Sequence, residues 1–560
     1  MSVEDVVPCA PPEGDSFVSV GAGQGEGTDT IRREPTAAGL WGKNYRVGYS
    51  IAWLAVLGFL ITAAVAFFGP SAASAAGTCG GGESDYNGDG LRDTAIADPD
   101  ATVGTKAGSG AVTVVYGGTT ATSVQIQQDL AWVPGDAEGK AQFGRSLTHG
   151  DLNADGCSDL VVGAPYKDVG TARDSGSVYV LFGAPGGLGT GPASATYDQT
   201  GVTASQGPEA GDLFGFALTG GTTSTALPFL VIGSPGEDTA AGADAGVIHY
   251  LSGKPPANVV VSQDSTGVWD ASEANDRFGA SLASTDRYFT VGSPGESIPT
   301  AAFAGAIHVF RPSLNTSGLP DPVFGLGQTP DAPAGTDKDL SAEPYDRFGT
   351  SLAMAPHRIS SEASALGAVL AVGVPGEDIG AVTDAGRVAL YRVNPDKTVT
   401  RTLENLNQGV TEMEGDPAAG DFFGQQVAVV NTAPTQVATA ATVKVAVGVP
   451  GKEASATAEH LDKGGVQILP FDANPGPTDA WLDPGWGIPG VPEHQMYAGT
   501  SLAATPQSLL VGVVNPSGDT PGSVYAFDWT VVSGGAPTRT FAPGQDGLPA
   551  DGTAFGAVVR

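Results

Sequence analysis

The chain has 560 residues, 60 of them acidic and 26 basic, for a formal net charge of −34. That balance excludes nucleic acid and anionic membrane surfaces as electrostatic partners and favours cations or basic surfaces. Gly at 82 and Pro at 41 imply many tight turns, while 41% hydrophobic content supplies a core and excludes a disordered chain.

Residues 1–76 are a different material from the rest. Lys43 and Arg46 precede an uncharged apolar run at 51–68, followed by Gly69-Pro70 and the small residues Ser71 to Ala76. Basic flank, apolar core and small-residue cleavage site are the parts of a secretory signal peptide. The expectation is export, with 77–560 as the mature domain and no stable membrane insertion after cleavage. The alternative is an uncleaved anchor, because 18 apolar residues reach the lower limit for crossing a bilayer. The acidic stretch from Met1 to about Ala38 is long for such a leader, and an over-extended start codon explains it equally well. Once Cys9 leaves with the leader, only Cys79 and Cys157 remain. Both lie at or beside analogous acidic loops of neighbouring units, which leaves one disulfide or two unpaired thiols as the readings.

From residue 79 onward the chain repeats. Its first unit, Asp85 to about Ala131, holds an acidic loop, a strand at Thr94 to Ala97 and another at Gly110 to Gly117, but no Phe-Gly opening. Phe-Gly then stands at Phe143, Phe214, Phe278, Phe348, Phe423 and Phe555, with a degenerate copy at Tyr497-Ala498-Gly499. Successive aromatic positions are 71, 64, 70, 75, 74 and 58 residues apart. Gly-(Ala/Ser/Val)-Pro follows at Gly163, Gly233, Gly292, Gly373 and Gly448. Such a period means copies of one unit. The apolar runs between are short, β-branched and bounded by Gly or Pro, so they read as strands and the class is all-β. Four antiparallel strands per unit describe a propeller blade. The last Phe-Gly, at Phe555, is an opening without a sequel, and the headless first unit completes it. Tail and head together predict a ring of seven blades, closed by the C-terminal strand completing blade 1.

These coupled motifs resemble the FG-GAP repeat of the integrin alpha-chain N-terminal propeller, and the resemblance covers essentially all of 79–560. It implies a binding or adhesion module far more than an enzyme, although propellers of this type serve several roles.

Two loops carry metal-ligand spacing: Asp85, Asn87, Asp89, Leu91 and Asp93, then Asp151, Asn153, Asp155, Cys157 and Asp159. Oxygens at positions 1, 3, 5 and 9 and the backbone carbonyl at 7 suit a hard cation, and Gly90 and Gly156 permit the turn. Ile96 and Val162 stand where an EF-hand needs Glu, so that motif is excluded. The match is to the calcium-binding hairpin of integrin-type blades, and Ca2+ is expected as a structural ion; a metal-free Asx-rich turn is the alternative.

A second acidic set follows Gly-x-Pro at Glu237-Asp238, Glu296, Glu377-Asp378 and Glu453, with Asp174, Asp244 and Asp384 farther along. Asp212, Asp276, Asp346 and Asp421 precede Phe-Gly by two positions. They read as solvated turn residues and strand caps, or, by the resemblance, as the partner-binding face opposite the calcium hairpins. No Gly-x-Ser-x-Gly elbow and no His-Glu-x-x-His occurs, and His249 and His308 are repeat residues at equivalent strand positions. The expectation is a secreted, monomeric, calcium-stabilised propeller that binds an extracellular protein or glycan. A propeller hydrolase acting on glycans or esters, or a lectin, is the alternative.

Overall fold

A computed structural model describes residues 79–560 except 119–121, 203–206, 254–256, 300, 329–340, 412, 454–461, 472–474, 477, 516–520 and 551. The leader expected over 1–76, with its apolar run at 51–68, lies outside the described residues. No helix among those residues is long and apolar enough to cross a membrane.

The described chain folds into seven antiparallel sheets, one per blade of a β-propeller, and its one helix is the short turn Gln199–Val202. Blade 2 shows the plan, with Ser146–Gly150, Asp159–Ala164, Ser177–Leu181 and Ala195–Tyr197 pairing in chain order. Blades 3, 4, 5 and 7 repeat it, and blade 6 adds Gly487–Ile488 as a short parallel fifth strand. Blade 1 orders its strands as Val558–Val559, Thr94–Asp98, Ala111–Val115 and Ser123–Ile126. The C-terminal strand therefore closes the ring, as the phase of the repeat predicts, and gives blade 1 its fourth strand.

Second and third strands are mostly buried, and the second strands Asp159–Ala164 and Gly367–Val374 are buried along their whole length. Each such strand is covered on both faces by neighbouring blades, so its sequence is continuously apolar rather than alternating. The core clusters run from blade to blade. Val112 of blade 1 packs with Phe143 and Val162 of blade 2, and Ile96 of blade 1 packs with Val524 of blade 7.

The coupling of the two motifs has a direct cause. The Phe214 N–H donates to the Ser175 carbonyl of the preceding blade at 2.9 Å, while the Gly215 N–H donates to Gly233 of its own second strand, also at 2.9 Å. Phe143, Phe278, Phe348 and Phe423 make the same inter-blade bond. The Gly215 carbonyl in turn occupies the space beside Gly163 of the preceding blade, where an added Cβ would come within 2.3 Å of it. Gly215 has φ 90, which a side chain would strain. Phe-Gly and Gly-x-Pro thus recur together because each glycine makes room for the other blade's backbone.

Candidate functional site

The two acidic hairpins form the same hydrogen-bond network. Asp85 accepts the N–H groups of Asp89 (3.1 Å) and Gly90 (2.9 Å), and Asp151 accepts those of Asp155 (3.1 Å) and Gly156 (3.0 Å). Asn87 accepts from Asp89, Asn153 accepts from Asp155, and Asp89 and Asp155 accept from Leu91 and Cys157. The carboxylates at position 9 lie behind the loops. Asp93 accepts the N–H groups of Tyr86 and Gly117, both at 2.8 Å, and Asp159 accepts those of Leu152 (2.8 Å) and Gly183 (2.9 Å). Burial pushes Asp93 up to about 6 and Asp159 well above the usual carboxylate range, against the pull of those amides.

The donor chemistry fits a hard cation. Positions 1, 3 and 5 supply side-chain oxygens, the backbone of Leu91 or Cys157 supplies a carbonyl, and Gly90 (φ 84) and Gly156 (φ 93) turn the loop. Each carboxylate oxygen has a second lone pair beyond the amide it accepts. Among the described residues the hairpin carboxylates do not come within 4.8 Å of one another as a trio. Asp93 and Asp159 clasp the loop to the sheet through the amides they accept. In blade 4 the connection is a short turn, Thr285 to Tyr288, without such a loop.

The hairpins are also stapled to each other. Cys79 and Cys157 form a disulfide, with a Cα–Cα distance of 4.9 Å, so of the two sequence readings the bridged one holds. Gly81 donates to the Gly156 carbonyl and Ser158 donates to the Asp85 carbonyl, both at 3.0 Å. Cys157 is position 7 of the second hairpin, so the bridge holds that loop directly.

The second acidic set is not solvated as a whole, which corrects the sequence expectation. Glu237, Glu296 and Glu377 are buried beneath the Phe-Gly turns, as are Asp212, Asp276, Asp346 and Asp421. The four aspartates do cap turns, each accepting the N–H of the residue three positions earlier. Each buried glutamate accepts a glutamine N–H, from Gln199, Gln263 and Gln328 respectively. Gln128, Gln199, Gln263 and Gln408 stand 15 residues before a Phe-Gly phenylalanine, a spacing that could have signalled the pocket in the sequence. Asp238 and Asp174 are exposed. Asp238 and Asp378 accept the N–H groups of Asp244 and Asp384 within their loops.

His249 and His308 behave as repeat residues. Both are buried, burial pushes each imidazole down to about 3, and they meet the Phe214 and Phe278 rings edge-on. On the loop face, Phe303 of blade 4 stacks on Tyr345 at the entry to blade 5, with ring centroids 5.4 Å apart and planes 12° apart. Phe303 replaces the aspartate found at positions 174, 244 and 384 of other blades. Both rings are carried on left-handed backbone, at φ 57 and φ 72, and Tyr345 is 54% exposed.

Residues 143–181 match the FG-GAP repeat family. Integrin alpha-5 of Xenopus laevis is 35% identical over 101 residues, which is 18% of this chain and 9% of that protein. Integrin alpha-PS5 of Drosophila melanogaster is 30% identical over 157 residues, 28% of this chain and 14% of that protein. Integrin alpha pat-2 of Caenorhabditis briggsae is 36% identical over 111 residues, 19% and 8% of the two chains. The chain therefore covers well under two thirds of the length of these relatives.

Proposed function

We propose that this FG-GAP-repeat propeller, related to the integrin alpha chains, works outside the cell as a calcium-stabilised binding module for a protein or glycan. The observation that carries the reading is the Phe303–Tyr345 stack on the loop face. Two large rings held in strained backbone, one of them more than half exposed, fit a recognition surface better than a packing role. The Cys79–Cys157 disulfide supports an oxidising compartment, and so does the sequence of the leader. Calcium belongs to the opposite hairpins, where Asp85, Asn87, Asp89, Asp151, Asn153 and Asp155 offer hard oxygens; the ion supplies positive charge that rigidifies acidic loops.

Panels of immobilised extracellular-matrix proteins and glycans, probed with the exported chain in calcium, test the reading. A bound protein or glycan that is lost with Tyr345→Ala supports it. Binding indifferent to Tyr345→Ala, or turnover of chromogenic glycosides or esters, counts against it and favours the hydrolase.

A further inference from the structure

We propose that the pocket under the Phe-Gly turn of blade 4, walled by Glu273, Asp276, Glu296 and Gln263, is a further cation site, built for a hard divalent ion. It is separate from the hairpins, which lie at the other end of the strands.

Three carboxylates converge there. One oxygen each from Glu273, Asp276 and Glu296 lies within 4.8 Å of the others, the one such trio among the described residues. Asp276 and Glu296 are 1% and 2% exposed, whereas Glu273 is exposed and leaves a way in from solvent. Asp276 Oδ1 and Gln263 Oε1 are both buried without a hydrogen-bond partner. Gln263 reaches the pocket, since its amide donates to Glu296 Oε2. Asp276 Oδ1 and Gln263 Oε1 thus keep open lone pairs beside the buried Glu296 carboxylate, and leaving them unmatched is costly.

Blades 5 and 6 place a cation in the equivalent pocket. In blade 5 the Arg387 guanidinium enters it and pairs with Glu377 at 2.8 Å, both side chains buried. In blade 6 the glutamate itself is replaced by Lys452. Its ammonium bonds Asp421 at 2.8 Å and Gln408 at 3.2 Å, two of the equivalent groups. Blade 4 has neither cation, because Ala306 occupies the position of Arg387 and Glu296 that of Lys452. The charged groups acting most strongly on Glu296 are all acids, namely Asp276, Asp270 and Glu273. Where blades 5 and 6 carry a covalently attached cation, blade 4 has the three converging carboxylates of Glu273, Asp276 and Glu296 and neither of those cations. Carboxylate and amide oxygens with no nitrogen or sulfur donor select calcium, magnesium or manganese over softer metals.

The test uses the full chain with the hairpins disabled by Asp89→Ala and Asp155→Ala, and Mn2+ as the probe in equilibrium dialysis. One Mn2+ per chain should remain bound and be lost with Glu296→Gln. Glu296→Lys, which copies the arrangement of blade 6, should fold, abolish Mn2+ binding and raise the melting temperature in chelator. No Mn2+ on the hairpin variant, or a stoichiometry unchanged by Glu296→Gln and Glu296→Lys, overturns the site. Failure of the hairpin reading looks different: wild type then binds a single ion, still lost with Glu296→Gln.

Discussion

Asp98 and Ala554 lie 456 positions apart, yet the Asp98 carboxylate accepts the Ala554 backbone N–H at 2.9 Å. Its other oxygen accepts from Thr553 at 2.8 Å, and Gly556 donates to the neighbouring Ala97 carbonyl at 3.1 Å. One buried side chain therefore fastens the last strand into the first blade. Asp98→Ala leaves two amides at this joint without their acceptor and costs on the order of 3 kcal/mol. The thermal midpoint of the purified chain should fall, and limited proteolysis should cut first near the C-terminal strand. An unchanged midpoint would show that the ring closes without this clasp.

The disulfide joins residues 78 positions apart and ties the hairpin of blade 1 to that of blade 2. Closing a loop of that length restricts the unfolded chain by up to about 4 kcal/mol in the entropic account. Alkylation followed by peptide mass mapping should find Cys79 and Cys157 unmodified until a reductant is added. Cys157→Ser should then lower the thermal midpoint. Both cysteines alkylated without reductant would contradict the bridge.

Chelation should lower the melting temperature of the wild-type chain, because an ion that binds only the folded state stabilises it by mass action. At a free ion concentration one hundred times the dissociation constant, that stabilisation is about 2.7 kcal/mol per site. Asp155→Ala should remove part of the response and Asp89→Ala with Asp155→Ala most of it. Differential scanning calorimetry in calcium and in chelator reads the effect. Coincident melts for wild type in the two conditions would remove calcium from these hairpins.

The scaffold was legible because its determinants are local and unusual. Gly215 and Gly163 must be glycine for backbone reasons, so the spacing of the motifs records blade contacts directly. The phase of Phe555 likewise revealed ring closure, since half a unit has only one partner. The carboxyl pockets were not legible in the same way. Nothing in the spacing of Asp212 or Glu237 says that they turn inward, because burial is set by Gln199 and the loop between them. The sequence reading gave Asp93 and Asp159 the role of ligands and did not find their clasping role, which depends on amides 24 residues away, at Gly117 and Gly183. Long-range partners of that kind leave no trace in a nine-residue motif.

The blade 3 pocket yields a prediction in which one repeat position gives opposite signs in two blades. Burial, followed by the nearby Asp212 carboxyl, pushes Glu237 up to about 8, and Asp212 itself is raised to about 6 by burial. Its amide partner is Gln199, and the charged groups acting on it are Asp212, Glu209 and Asp238, all acids. A carboxyl raised in the folded state favours the neutral form there. Its stabilising contribution is complete below the unfolded value, about 4.3, and is lost as pH rises through about 8. Glu237→Gln keeps the shape and removes the titration. The variant should match wild type near pH 4 and exceed it increasingly toward pH 8, by on the order of a few kcal/mol. At the equivalent position of blade 5, Glu377 is paired with buried Arg387, and Glu377→Gln strands that guanidinium. This second variant should be less stable than wild type at pH 7, because removing one partner of a buried pair leaves an uncompensated charge. Melting curves of the three proteins from pH 4 to pH 8.5 decide the matter. Parallel curves for wild type and Glu237→Gln would mean that the buried carboxyl of blade 3 does not carry the proton assigned to it.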